Sequence, residues 1–74
     1  MKHELKIWPA YFEAVLSGNK TFEYRYNDRA FSVGDVLLLR EYNTYKKEYS
    51  GREIEVTVTY ILDVFNDYVI FIHT

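Results

Sequence analysis

The chain has 74 residues, no Cys and a formal charge of −2, from nine Lys and Arg against eleven Asp and Glu. That length allows one domain, 1–74, with a small core held by packing alone, and the charge balance excludes a polyanion binder that depends on bulk counterion release. No apolar run approaches the roughly 20 residues that cross a bilayer, and the amino-terminal stretch does not read as a signal peptide, so the expectation is a cytoplasmic protein without membrane contact.

Hydrophobic residues make up 49% of the chain and aromatics 19%, so large rings are expected to supply much of the buried area. His3 to Ile7 alternates as a short strand. Pro9 suits the first turn of a helix because its missing N–H is not needed there. The spacing of Trp8, Tyr11, Phe12, Val15 and Leu16 predicts a helix from Pro9 to Ser17 that packs this stripe into the core, with Gly18 ending it in the left-handed conformation. Thr21 to Asn27 then reads as a strand. Its alternation sends Thr21, Glu23 and Arg25 to one face and Phe22, Tyr24 and Tyr26 to the other. The aromatic face is expected to be a wall of the core, and the polar face to line a cleft with Lys20 at its lip.

Asn27-Asp28-Arg29 and Ser32-Val33-Gly34-Asp35 read as turns. Val36 to Glu41 lacks alternation, which predicts a central strand buried on both faces. Asn43 to Gly51 is polar and reads as a hairpin loop. Arg52 to Asp63 alternates, with Ile54, Val56, Val58 and Tyr60 on one side and Glu53, Glu55, Thr57 and Thr59 on the wet side. Asn66-Asp67 turns into a final buried strand, Tyr68 to Ile72. A strand, a helix and then four strands predict a mainly β (α+β) chain: a small mixed, mostly antiparallel barrel with the helix covering one opening.

Chemistry is expected around Lys20, Glu23 and Arg25. Two residues apart on one strand face, Glu23 and Arg25 lie about 6.5 to 7 Å apart at the backbone, close enough to pair or to grip one planar polar ligand. Arg offers a fork of donors to phosphate or a carbonyl, and Glu accepts from an exocyclic amine. Trp8, Tyr24 and Tyr26 offer stacking surfaces if they face the cleft. The same pair also reads as an ordinary surface ion pair. Arg29 and Arg40 are further candidates for local contact with nucleic acid, whereas Glu41, Glu48, Glu53 and Glu55 suggest an acidic opposite region. Tyr42, Tyr45 and Tyr49 around Lys46 and Lys47 read as surface decoration with some capacity for stacking. His3 and His73 make a poor metal site, and neither a metal nor another cofactor is expected.

As a pattern, Gly18, Lys20, Glu23 and Arg25 give G-x-K-x-x-E-x-R, which resembles the signature of ASCH (activating-signal-cointegrator homology) domains of the PUA-like superfamily. His3-Glu4-Leu5-Lys6-Ile7, Pro9-x-Tyr11-Phe12, Asn27-Asp28-Arg29 and Gly34-Asp35 before a Leu-rich strand extend the resemblance over almost the whole chain, to a subfamily of small bacterial and phage proteins. The resemblance implies a PUA-like pseudobarrel and RNA or a nucleotide-like ligand, with Lys20, Thr21, Glu23, Arg25, Arg29 and Arg40 as the binding set. Some compact members remove the acetyl group from acetylated cytidine with a Lys, a Thr three residues later and a distant Glu. Lys20 matches that Lys, but position 23 is Glu and the distant segment is missing. An enzyme would therefore need Lys20 as general base with Glu23 as its partner. A phage module that engages a host protein is a third reading, and the expected state is a monomer or weak homodimer.

Overall fold

A computed structural model describes residues 1–26 and 29–74. Asn27 and Asp28, the first two residues of the first expected turn, lie outside the described residues. The chain is mostly β with one short helix, in the order β1 (Lys2–Ile7), α1 (Pro9–Leu16), β2 (Phe22–Tyr26), β3 (Val36–Asn43), β4 (Glu48–Val64) and β5 (Asp67–His73). The strands form one curled mixed sheet, a half-barrel, in the order β1-β3-β4-β5-β2. β1 runs parallel to β3, and the other three pairings are antiparallel.

The alternation of β1 is real: His3, Leu5 and Ile7 point inward and their neighbours outward. In α1 only Phe12 and Val15 are buried. An eight-residue helix lying across one side of a small sheet brings a narrow stripe to the core, so Trp8, Tyr11 and Leu16 remain exposed, against the expectation of a fully packed stripe. Gly18, at φ +83°, ends the helix, and Lys20 N–H bonds back to the carbonyl of Ala14 at 2.9 Å.

β3 buries Leu37, Leu39 and Glu41 on one face and leaves Val36, Leu38 and Arg40 half-buried on the other. The expected hairpin loop is shorter than the polarity of Asn43 to Gly51 suggests, since β4 already begins at Glu48. Two irregularities shape β4. Ser50, Gly51 and Arg52 stand opposite the single residue Glu41, with Gly51 at φ +94°. Thr59 is the extra residue between the pairs Val58↔Ile72 and Tyr60↔Phe71. The two extra residues at Gly51 leave side-chain parity unchanged, whereas the single extra residue Thr59 inverts it. Tyr60, expected inside with Val58, therefore points out, and Ile61 packs against the core instead. The core joins Leu5, Ile7, Phe12, Val15, Phe31, Leu37, Leu39, Val56, Val58, Ile70 and Ile72. Among the described residues no helix is long and apolar enough to cross a membrane.

Candidate functional site

The parity expected for β2 holds, but its consequence is reversed. Glu23 is buried and Arg25 half-buried on the inner face, whereas Phe22, Tyr24 and Tyr26 are exposed on the outer one. The reason is the place of β2 in the sheet. It is an edge strand beside the opening of the half-barrel, so its inner side chains meet a polar gap in place of the packed centre.

β1 and β2, the two edges, face each other across that gap and are joined by side chains. Glu23 Oε1 accepts from Lys20 Nζ at 2.9 Å, and Glu23 Oε2 accepts from Arg25 Nε at 2.9 Å. Lys20 Nζ also donates to the carbonyl of Phe22 at 2.8 Å, and Arg25 Nη2 donates to the carbonyl of Lys6 at 2.5 Å. Both carbonyls belong to the edges, which lack a neighbouring strand there. A bare strand edge is costly to bury and prone to non-native pairing. The three charged residues therefore act as a clasp that satisfies edge groups where a backbone ladder is missing. Lys20 further lies 5.2 Å from the ring centre of Tyr11 and 4.9 Å from that of Phe22.

Above this clasp a cleft of about 450 Å³ opens, lined by Lys6, Ile7, Trp8, Tyr11, Lys20, Phe22, Glu23, Tyr24 and Arg25. The rings of Trp8 and Tyr11 stack with centres 5.6 Å apart and planes 12° apart, and both residues are about half exposed. An ammonium has three donors and a guanidinium five N–H groups. The contacts just described use two on each, so among the described residues one donor on Lys20 and three on Arg25 are left for solvent or a ligand. A second cleft of about 490 Å³ adjoins the first through Lys6 and Arg25 and adds Glu4, Leu5, Arg29 and Tyr49.

The structure thus gathers Lys20, Glu23 and Arg25 in one cleft and places Arg29 in the next. Thr21 is exposed, accepts from Ile72 N–H through its carbonyl, and lines neither cleft. Arg40 lies on the outer face, paired with Glu4 and Glu53 and 3.9 Å from the ring centre of Tyr49. Lys6 and Tyr11 were not expected to line the cleft. Lys6 is an outward position on β1, and Tyr11 reads from its spacing as core.

Two polar clusters elsewhere also carry no signal in the spacing. Glu41, expected on an acidic surface, is buried; it accepts from Arg52 Nε and Nη2 at 3.0 and 2.9 Å and from Ser50 Oγ at 2.6 Å. The Gly51 bulge is what lets both Ser50 and Arg52 reach it. Arg52, followed by Ser50, holds the Glu41 carboxyl below its usual range, and Glu41 and Glu13 raise Arg52 further above its own. Because Arg52 also reaches Glu13 and covers the Phe12 ring, this cluster ties α1 to the sheet. In the second cluster, buried Asp35 accepts from His3 Nε2 at 2.8 Å, from the α-amino group at 3.1 Å and from Ser32 N–H at 3.0 Å. These donors, His3 foremost, lower the Asp35 carboxyl to about 2. His73 is exposed on β5, strands away from His3. Among the described residues no group of three or more His, Cys, Asp or Glu is placed to hold a metal ion.

A family profile described as a domain of unknown function, DUF3850, matches residues 2–71. An uncharacterised 12.9 kDa protein in the GpA 3′ region of Escherichia phage P2 is 37% identical over 71 residues, which cover 92% of this chain and 63% of that protein. The chain therefore spans a little under two thirds of the length of that curated relative. With the match running through every element from β1 into β5, the chain belongs to the DUF3850 family.

Proposed function

We propose that the chain is an RNA- or nucleotide-binding module of the cytoplasm that takes its ligand in the cleft between α1 and β2. The observation that carries this reading is the meeting of fixed cations with exposed rings. Lys20 and Arg25, held by a buried carboxylate, keep free donors beside the stacked, half-exposed pair Trp8 and Tyr11. Every base has a π-face to stack on such rings, and a phosphate or carbonyl oxygen matches an ammonium or guanidinium. A cleft of about 450 Å³ lies in the usual size range of small-ligand sites. The G-x-K-x-x-E-x-R pattern, with its resemblance to ASCH domains, supports the same ligand class. Each Glu23 oxygen accepts from one of the two cations, so Glu23 serves here to position them. The hydrolase alternative would need Lys20 as general base with Glu23 as its partner, a reading less favoured by an ammonium that already donates to both Glu23 and the Phe22 carbonyl.

Fluorescence anisotropy with short labelled RNA oligomers tests this, preceded by a thermal-shift screen of nucleosides and nucleotides. Stacking contributes about 1–3 kcal/mol per base by alanine substitution, so Trp8→Ala should weaken binding roughly 5- to 150-fold. Arg25→Ala should weaken it and flatten its salt dependence. Binding that survives both substitutions would show that the cleft is not the site, and a screen without any hit would remove the reading altogether.

A further inference from the structure

The outer face of the sheet has two halves of different character. Over β1, β3 and the first part of β4 it is charged and internally paired, through Lys2 with Glu55 and Arg40 with Glu4 and Glu53. Over the end of β4, β5 and β2 it is apolar. The registers Tyr60↔Phe71↔Phe22 and Leu62↔Val69↔Tyr24 set six such side chains in two adjoining rows. Phe22, Tyr24, Tyr60, Leu62 and Phe71 are between 37% and 59% exposed. The one charged side chain on this half among the described residues, Asp67, accepts a hydrogen bond from Tyr24 Oη at 2.6 Å. At the tip of the β4–β5 turn Phe65 is 98% exposed and stands at φ +58°, a conformation a bulky side chain adopts at a cost.

We infer that this face is a self-association surface on which a second copy of the chain docks, face to face, about a two-fold axis. Area is the first argument. With side chains of roughly 150–250 Å² each, the two rows expose roughly 500 Å², and Tyr26 and Phe65 at the margin bring the total to roughly 800 Å². The largest apolar patch of an ordinary monomer is about 300–600 Å², whereas a specific interface takes about 800 Å² from each partner. Charge is the second. A two-fold contact sets a patch against itself, so any net charge would oppose its own copy. Here, among the described residues, the charge of this half is the single carboxylate of Asp67, engaged by Tyr24, and the ion pairs of the outer face lie on the other half. RNA suits the face less well, since Lys20 at its border turns its ammonium to Glu23 and the Phe22 carbonyl. Tyr- and Phe-rich surfaces with little charge are the composition of interface centres.

Sedimentation equilibrium of the whole chain tests the inference. The mass should rise from 8.9 kDa toward twice that value with concentration. Tyr60→Lys combined with Leu62→Lys, both outside the cleft, should hold it at a single chain while leaving the far-UV circular dichroism unchanged. On the unaltered protein, concentration-dependent amide shifts should be confined to β2, β5 and the end of β4, a readout that does not depend on a variant folding. A single-chain mass up to about 1 mM, the weakest affinity that would matter, overturns the inference. So does a dimer that survives the double substitution, or amide shifts centred elsewhere. RNA binding weakened by the double substitution in a protein that stays a single chain would make the face a base-stacking platform, and self-association would be wrong.

Discussion

Glu23→Gln is the sharpest test of the clasp. The substitution keeps the volume of a side chain only about 5% exposed and changes what the two cations meet. A carboxylate accepts from Lys20 and Arg25 at once, each at 2.9 Å. An amide accepts with its oxygen alone and turns an NH₂ toward the other cation. One charge-assisted hydrogen bond, about 1.5–3 kcal/mol, is therefore lost, and the survivor keeps charge on one partner only. Removing one member of a fully buried ion pair costs about 3–5 kcal/mol. Lys20 and Arg25 are 16% and 26% exposed and can turn toward water, which lowers the expected loss to about 2–3 kcal/mol. For a domain of this size that is a large part of a total stability of roughly 4–11 kcal/mol, and it corresponds to a fall in Tm of roughly 10–20 °C. Urea denaturation read by tryptophan fluorescence measures it, because Trp8 lines the same cleft. A change below about 0.5 kcal/mol would place the triad among solvated surface pairs and refute the clasp.

Three further outcomes follow from the same reasoning. Glu55→Gln removes the partner of Lys2, but both side chains are more than half exposed, so the urea midpoint should not move. Gly18→Ala meets no atom within 4 Å, so its cost is that of a left-handed backbone alone, about 1–2 kcal/mol in the same urea experiment. Asp35 titrates near 2 in the fold against an ordinary 3.8, so the stability it contributes is present above about 4 and is lost as pH falls toward 2. Asp35→Asn should flatten the acid limb of a pH series of thermal melts over that window, and an unchanged limb would show that other carboxylates govern it.

The element order was legible because β1 and the middle of β4 alternate cleanly and Pro9 and Gly18 bracket a short helix. Where reading failed, a local rule met a particular place in the fold. Phe22, Tyr24 and Tyr26 obey the strand period, yet the equation of apolar with inward fails on an edge strand whose inner side is an ionic gap. The Thr59 bulge turned Tyr60 outward, and no residue type announces a bulge of that kind. Glu41 and Asp35 look like surface acids until folding delivers Arg52 and Ser50 to one and His3 to the other. Lys20, Glu23 and Arg25 were found because they are neighbours in sequence. Lys6 and Tyr11 were missed because they reach the cleft from other elements.

The strand order has a consequence for how the chain acquires its shape. β3, β4 and β5 are consecutive and can zip as a meander, whereas β1 must await β3 and β2 must await β5, the latest of these five strands to be made. Contacts so distant along the chain slow folding toward milliseconds or longer. Throughout synthesis β2 is thus an orphan segment that carries Glu23 and Arg25 in water. Its ionic side hampers premature aggregation until β5 arrives and the molecule closes.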